Sequence, residues 1–308
     1  MTRREALALF AAAAPSKSLE GIFPILQTPF TDSGGLDSDV LAREVKFCAR
    51  CGVAGVVWPQ LASEWSELTP DERRAGAEVV VAAAKGTAPA VVLGVQAADA
   101  ETAAGYAGHA QKLGADAIIA LPPPGVTALD RVADYYHAIA RASALPLFVQ
   151  TIGEMSVEFV RRLAAQNPTL RYVKDEAGHT LTRLSEYRRS APDLAVFTGA
   201  HGRTLIDEIA RGSAGSMPAA AFADLYVDVW RIARAGRREE ALERFAPASV
   251  LIHQVQTYGL ASVKYILHLR GVFPNWRCRG ARAGSTFDAE AERAVRASWE
   301  FARKRMKG

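Results

Sequence analysis

Eight short apolar runs, rich in β-branched residues, punctuate the chain at residues 21–30, 53–60, 88–96, 115–122, 145–151, 171–176, 195–199 and 212–217. After each run, apolar residues return at helical spacing. Strands buried on both faces read as continuous apolar runs, so this texture predicts a parallel sheet covered by helices. Eight such units without a long insertion predict an α/β chain folded as a (β/α)8 (TIM) barrel, with a doubly wound open sheet as the competing architecture. Beyond residue 222 the pattern is helical at 225–235, 237–256, 260–269 and 289–306. These segments predict the eighth barrel helix followed by a C-terminal helical extension. The expected organisation is therefore a tail or export signal over 1–20, a barrel over 21–223, and the last barrel helix plus extension over 224–308.

Local punctuation supports the helical segments. Thr69-Pro70-Asp71-Glu72 supplies an N-cap, a proline at the first helical position and an acid three residues after the cap. Asp99 opens a helix that Gly114 closes, and Ser156 caps a helix that stops at Asn167-Pro168. With 308 residues, 49% hydrophobic and 23% charged, the composition excludes disorder and collagen-like or coiled-coil architecture. No apolar run reaches the roughly 18 residues that cross a bilayer. The charge of +4 comes from scattered residues, so neither nucleic acid nor membrane is an expected partner. Three cysteines cannot all pair, which favours a reducing, cytoplasmic compartment. Cys48 and Cys51 form one CxxC inside a helical pattern with no second pair, and read as core thiols rather than a zinc site. Arg3-Arg4 before a short apolar stretch leaves export open.

Such a barrel does its chemistry at the C-terminal ends of its strands. Those ends carry Gln27-Thr28-Pro29, Trp58-Pro59-Gln60 continuing to Glu64, Gln96, Pro122-Pro123-Pro124, Gln150-Thr151, Lys174-Asp175-Glu176, Thr198-Gly199 and Gly215-Ser216-Met217. Lys174 is the outlier, because lysine is depleted in strands and rarely buried. Alternation puts Tyr172, Lys174 and Glu176 on one face and Val173 and Asp175 on the other. If Val173 packs against the helices, Lys174 enters the barrel mouth, where desolvation would leave more neutral amine to attack a carbonyl. A strand-end lysine reaching solvent, or paired with Asp175, is the plainer alternative. Glu176 is placed to move a proton next to an iminium, or to form a structural salt bridge; a protonated carboxyl would avoid opposing the lysine's desolvation. His201 reads as a residue of the pocket rim or as a cap of the next helix. His109, His137 and His179 are unclustered, so no metal site is expected.

From these residues the chain resembles the dihydrodipicolinate synthase / N-acetylneuraminate lyase family of Schiff-base aldolases and dehydratases. The resemblance runs from Gly21 to about Phe273. It rests on Gly21-Ile22-Phe23-Pro24 through Thr28-Pro29-Phe30, on Glu64 with Leu68-Thr69-Pro70-Asp71-Glu72, on Gly114-Ala115-Asp116-Ala117 before Leu121-Pro122-Pro123, on Tyr172-Val173-Lys174, on residues 212–215 and on Val263-Lys264. It implies Lys174 as the Schiff-base lysine, no cofactor beyond the covalent substrate adduct, and a homotetramer or dimer. Three departures set the chain apart. The family's Gly-Thr-Thr-Gly-Glu loop reads Gln60-Leu61-Ala62-Ser63-Glu64, the expected tyrosine after Pro122-Pro123 is Pro124, and the second-substrate arginine is absent after Gln150-Thr151. The backbone amides of Ala62 and Ser63 remain available to a carboxylate.

The chain looks most like the 2-keto-3-deoxy-L-arabonate dehydratase branch, through Ser63-Glu64-Trp65, Phe148-Val149-Gln150, Lys174 with Glu176, and Gly215-Ser216-Met217. That resemblance implies a lyase that dehydrates a 2-keto-3-deoxy sugar acid, a small 2-oxo acid being the only partner. Lys174 then serves as electron sink and Glu176 as base or acid. Ser63, Gln96, Gln150 and Ser216 would hydrogen-bond substrate hydroxyls. A pyruvate-dependent aldolase or condensing enzyme, and a degenerate barrel that binds a sugar acid without turnover, are the alternatives.

Overall fold

The computed structural model describes residues 17–280 and 287–306; Arg3-Arg4 lies outside them. Eight strands run in the order β1 (Gly21–Ile22), β2 (Gly55–Trp58), β3 (Ala90–Gly94), β4 (Ala117–Ala120), β5 (Leu147–Thr151), β6 (Leu170–Asp175), β7 (Ala195–Thr198) and β8 (Gly215–Ser216). The helices between them are α1 (Ser38–Arg50), α2 (Pro70–Ala84), α3 (Ala100–Leu113), α4 (Leu129–Ala142), α5 (Val157–Gln166), α6 (Thr180–Ser190) and α7 (Leu205–Ala210). α8 (Ala223–Arg234) completes the barrel, and α9 (Arg238–Leu269) and α10 (Ala289–Met306) extend it.

All strand pairs are parallel, and the sheet runs β1-β8-β7-β6-β5-β4-β3-β2. The seam between β1 and β2 closes through Ala54 N–H to Ile22 O, Val57 N–H to Pro24 O and Leu26 N–H to Val57 O. The architecture is thus the expected barrel with its helical extension. Its first and last strands are shorter than the apolar runs that predicted them. Pro24 and Pro218 lack an N–H, so the regular ladder stops short of each, although both carbonyls still accept hydrogen bonds.

The predicted caps form. Thr69 and Glu72 exchange side-chain-to-backbone bonds of 3.0 and 3.2 Å, Asp99 accepts from Thr102 N–H at 2.7 Å, and Ser156 accepts from Phe159 N–H at 3.1 Å. Asp37 caps α1 in the same way, unnoticed in the sequence. Cys48 is buried on α1 and Cys51 half-buried at its end; burial pushes both thiols up, Cys51 to about 11.

Two apolar layers follow from strand alternation. Val173 and its outward counterparts pack against the helices. Inside, Phe23, Phe148 and Phe197 fill the barrel with Val57, Val92, Ile119 and Met217. Phe197 meets Phe23 and Phe148 edge-on, each at 5.3 Å between ring centroids, and Phe148 stacks on Tyr172 at 4.5 Å. Gly55 makes room for this plug, since a Cβ there would lie 2.1 Å from the Phe23 ring. The aromatic floor leaves inward residues at the strand ends to form the mouth.

Helix α9 is tied to that mouth by a buried ion pair. Lys264 Nζ lies 2.5 Å from Glu64 Oε2 and also donates to Arg277 O, while Glu64 Oε1 accepts from the backbone of Arg279 and Gly280. Glu64 ends the loop Leu61–Ser63 with a left-handed φ of 54°. Removing one partner of a buried pair strands the other charge, which costs about 3–5 kcal/mol. Lys264→Met should lower unfolding free energy in urea by about that amount; an unchanged midpoint would show that the clamp is dispensable.

Candidate active site

The mouth is built from the end of β6. Lys174 points inward and is only 4% exposed, while Asp175 points outward and is buried among α6 groups. Asp175 holds the Arg183 guanidinium through contacts of 2.8–3.1 Å and accepts from Thr151 Oγ1 at 2.8 Å. The same threonine oxygen accepts from the N–H groups of Glu176 and Ala177. These bonds anchor the backbone from the outside, so the turn after Lys174 directs Glu176 back toward the mouth.

Four groups converge there. Lys174 Nζ lies 2.9 Å from Glu176 Oε2, Gln150 Nε2 donates to the same oxygen, and Ala200 N–H donates to Oε1 at 3.0 Å. Strand register brings them together, because Gln150 lies opposite Lys174 on β5 and Phe197 lies opposite it on β7. Burial pushes the Glu176 carboxyl up, but the Lys174 charge and the hydrogen bonds from Lys174, Ala200 and Gln150 outweigh it and hold the group below its ordinary range. The conflict foreseen between a lysine and a neighbouring acid is therefore met by an ion pair and not by a protonated Glu176. Gly199 is what lets the carboxylate approach: a Cβ at that position would lie 1.8 Å from Glu176 Oε1.

After Gly199 the backbone takes left-handed φ values at Ala200 (47°) and His201 (58°), a conformation that costs non-glycine residues about 1 kcal/mol or more each. Tyr226 on α8 donates its hydroxyl to His201 O and secures the turn. The turn aims Ala200 N–H at Glu176 and puts the His201 side chain on the cavity wall. His201 is thus a rim residue; the helix-cap alternative belongs instead to His179, which accepts from Thr182 N–H. Burial lowers the basicity of His201, the Glu176 charge opposes this, and Lys174 and Arg203 reinforce it; the net direction is down.

The cavity has a volume of ≈ 310 Å³. Lys174, Glu176, Ala200 and His201 line it together with Gln60, Leu61 and Ala62 from the loop after β2. Gly259, Leu260 and Val263 of α9 cover it, a wall the sequence pattern did not announce. Gly259 has φ 66° and ψ −153°, which interrupts α9 where it crosses the mouth. A larger cavity of ≈ 720 Å³ lies among α8, α9 and α10, but its lining has neither Lys174 nor any other strand-end residue.

The remaining predicted site residues divide. Ala62 lines the cavity and Gln150 reaches Glu176. Ser63 does not line it: its hydroxyl donates to Leu26 O and accepts from Gln60 N–H, and its own N–H is engaged by Gln60 O. Gln96 lies beneath the loop, bonded to Pro59 O and Gln60 Nε2, each at 2.9 Å. Ser216 is buried beside Thr198, which donates to Glu208. All three are fully buried and serve neighbouring protein groups, because a hydroxyl or amide at a strand end finds partners under the loops as readily as in the mouth. Gln60, which the sequence reading passed over, does line the cavity and has a buried Oε1 without a hydrogen-bond partner. Among the described residues no group of three or more His, Cys, Asp or Glu side chains is placed to hold a metal.

The chain matches the model of the dihydrodipicolinate synthetase family over residues 18–292. It is 30% identical over 269 residues to the "Probable 2-dehydro-3-deoxy-D-pentonate aldolase YjhH" of Escherichia coli, covering 83% of this chain and 89% of that protein. It is 27% identical to the L-2-keto-3-deoxyarabonate dehydratase of Azospirillum brasilense, covering 84% and 87% of the two chains. The crystal structure of dihydrodipicolinate synthase from Rhodopseudomonas palustris superposes with a TM-score of 0.83 at 25% identity, covering 93% and 97%. The chain is therefore a member of the dihydrodipicolinate synthetase family, an enzyme of its lyase and aldolase class.

Proposed function

We propose that this enzyme dehydrates a 2-keto-3-deoxy sugar acid through a Schiff base on Lys174, with Glu176 as the proton carrier. The observation that supports this most is the Glu176 carboxylate held by Lys174, Gln150 and the Ala200 N–H, in a lining that among the described residues has no other amine and no tyrosine. Glu176 first takes the proton that Lys174 must shed to become nucleophilic. The amine adds to C2 of the 2-oxo acid, water leaves, and an iminium forms. Glu176, again a carboxylate, removes a C3 proton, and the electron pair moves into the iminium to give an enamine. The enamine expels the C4 hydroxyl, which departs as water with the proton from Glu176. Hydrolysis of the resulting unsaturated iminium frees the product and restores Lys174.

The Ala62 amide, left over when Ser63 N–H is engaged by Gln60 O, is the donor offered to the substrate carboxylate. The names of the two sequence relatives support a 2-keto-3-deoxy pentonate as the substrate class. One of them is named as an aldolase, which keeps carbon–carbon cleavage as the second reading. The assignment is tested by following 2-keto-3-deoxy pentonates by proton NMR. A water-loss product is expected, and its absence with every stereoisomer would contradict dehydration.

Positioned acid–base catalysis contributes roughly 10²–10⁴-fold, so Glu176→Gln should lower kcat for dehydration by that factor. Gly199→Ala, whose methyl occupies the space of the carboxylate, should produce a loss of similar size, whereas near-wild-type turnover in either variant would remove Glu176 from the mechanism. The pH profile carries a sign. A base acts when deprotonated, and Glu176 is held below the usual carboxylate range, so dehydration should stay level as pH falls to about 4.5 and decline only below it. An acid limb near pH 6–7 in the dehydration rate would point to another base.

A further inference from the structure

One titratable group on the cavity wall has no task in dehydration. The His201 imidazole is half-buried, lines the same cavity as Lys174 and Glu176, and has no hydrogen bond from its ring to any described residue. It is held there at the expense of two consecutive left-handed non-glycine residues, with Tyr226 securing its carbonyl. Lys174 and Glu176 are close enough for their charges to act on it. Among the described residues the lining has no phenol or threonine hydroxyl that could otherwise exchange a proton with a substrate oxygen.

We propose that His201 is a second proton acceptor of the site, acting on the C4 hydroxyl of the substrate and opening a carbon–carbon cleavage route from the iminium on Lys174. This rests on the Schiff-base reading above. In dehydration the base takes hydrogen from C3 and the C4–O bond breaks. In the second route the imidazole takes the C4 hydroxyl proton, the oxygen lone pair forms a C4 carbonyl, and the C3–C4 bond breaks with its electrons passing into the iminium. An aldehyde leaves, and the remaining enamine takes one proton at C3, from the imidazolium or from water, before hydrolysis releases pyruvate. No oxidant or further reactant enters. Two bases thus compete for one intermediate: Glu176 at C3, His201 at the C4 oxygen.

The charged groups acting on the imidazole are Glu176, which favours its protonation, and Lys174 and Arg203, which oppose it; burial and the two cations prevail and hold it below its ordinary range, so it is neutral and able to accept a proton at pH 7. The test reads the ratio of pyruvate to water-loss product from a 2-keto-3-deoxy pentonate. In the wild-type enzyme the ratio should hold level as pH falls to about 6.5 and decline only below it, because the imidazole, held below its ordinary range, becomes protonated there before Glu176 does. His201→Asn keeps a residue that tolerates the left-handed backbone but cannot take the proton. It should lower the ratio about 100-fold through kcat and abolish its pH dependence. An unchanged ratio in the variant, a wild-type ratio independent of pH, or dehydration with no pyruvate at any pH would overturn the assignment of His201 while leaving dehydration standing. If the wild type forms neither product, the parent reading falls and this one with it.

Discussion

An amine carried on an inward strand position of an aromatic-filled barrel has to meet its charge inside the protein. Leaving an ammonium without a counter-ion away from water is costly, and much of the mouth is arranged around that requirement. Glu176 supplies the opposite charge. Because it too is partly withdrawn from water, it needs its own donors, and Gln150 and Ala200 N–H provide them. Each donor then imposes a demand on the chain that carries it. Gln150 must stand opposite Lys174 in the β5–β6 register, and Ala200 must turn its N–H inward through a left-handed backbone. Gly199 must remain without a side chain so that the carboxylate can reach that N–H.

The outward face of the same strand end holds this arrangement still. Asp175, Arg183 and Thr151 form a polar anchor behind Lys174, and Thr151 also receives the backbone N–H of Glu176. Rigid support of this kind is what the proposed proton transfer would need, since a misplaced base loses rate steeply. On the far side, the Lys264–Glu64 pair ties α9 to the loop that presents Gln60 and Ala62. The helical extension therefore belongs to the candidate site as much as to the scaffold, since Gly259, Leu260 and Val263 of α9 line the cavity.

Much of this was legible in the sequence, for reasons that can be named. The barrel could be read because each strand is an apolar run and several helices carry an explicit cap, as at Thr69, Asp99 and Ser156. Lys174 stood out because a lysine in such a run violates the pattern around it, and alternation alone placed Glu176 on its face. The roles expected of Ser63, Gln96 and Ser216 came from their places at strand ends, which does not reveal whether a polar group faces the mouth or is engaged beneath it. Gln60 was passed over for the same reason in reverse. His201 could not be placed without the backbone, because its position depends on two left-handed residues that carry no glycine signature. The break at Gly259 had a residue to mark it, yet nothing local indicated that the break lies over the cavity.

The central claim is that Lys174 is the nucleophile, and it is tested most directly by trapping the covalent intermediate. Reduction with borohydride in the presence of pyruvate, followed by intact mass and peptide mapping, should show one reduced pyruvyl group per chain, located on Lys174. It should be absent when Lys174→Ala is treated in the same way. Failure to label the folded enzyme, or label on another lysine with Lys174 unmodified, would contradict the account.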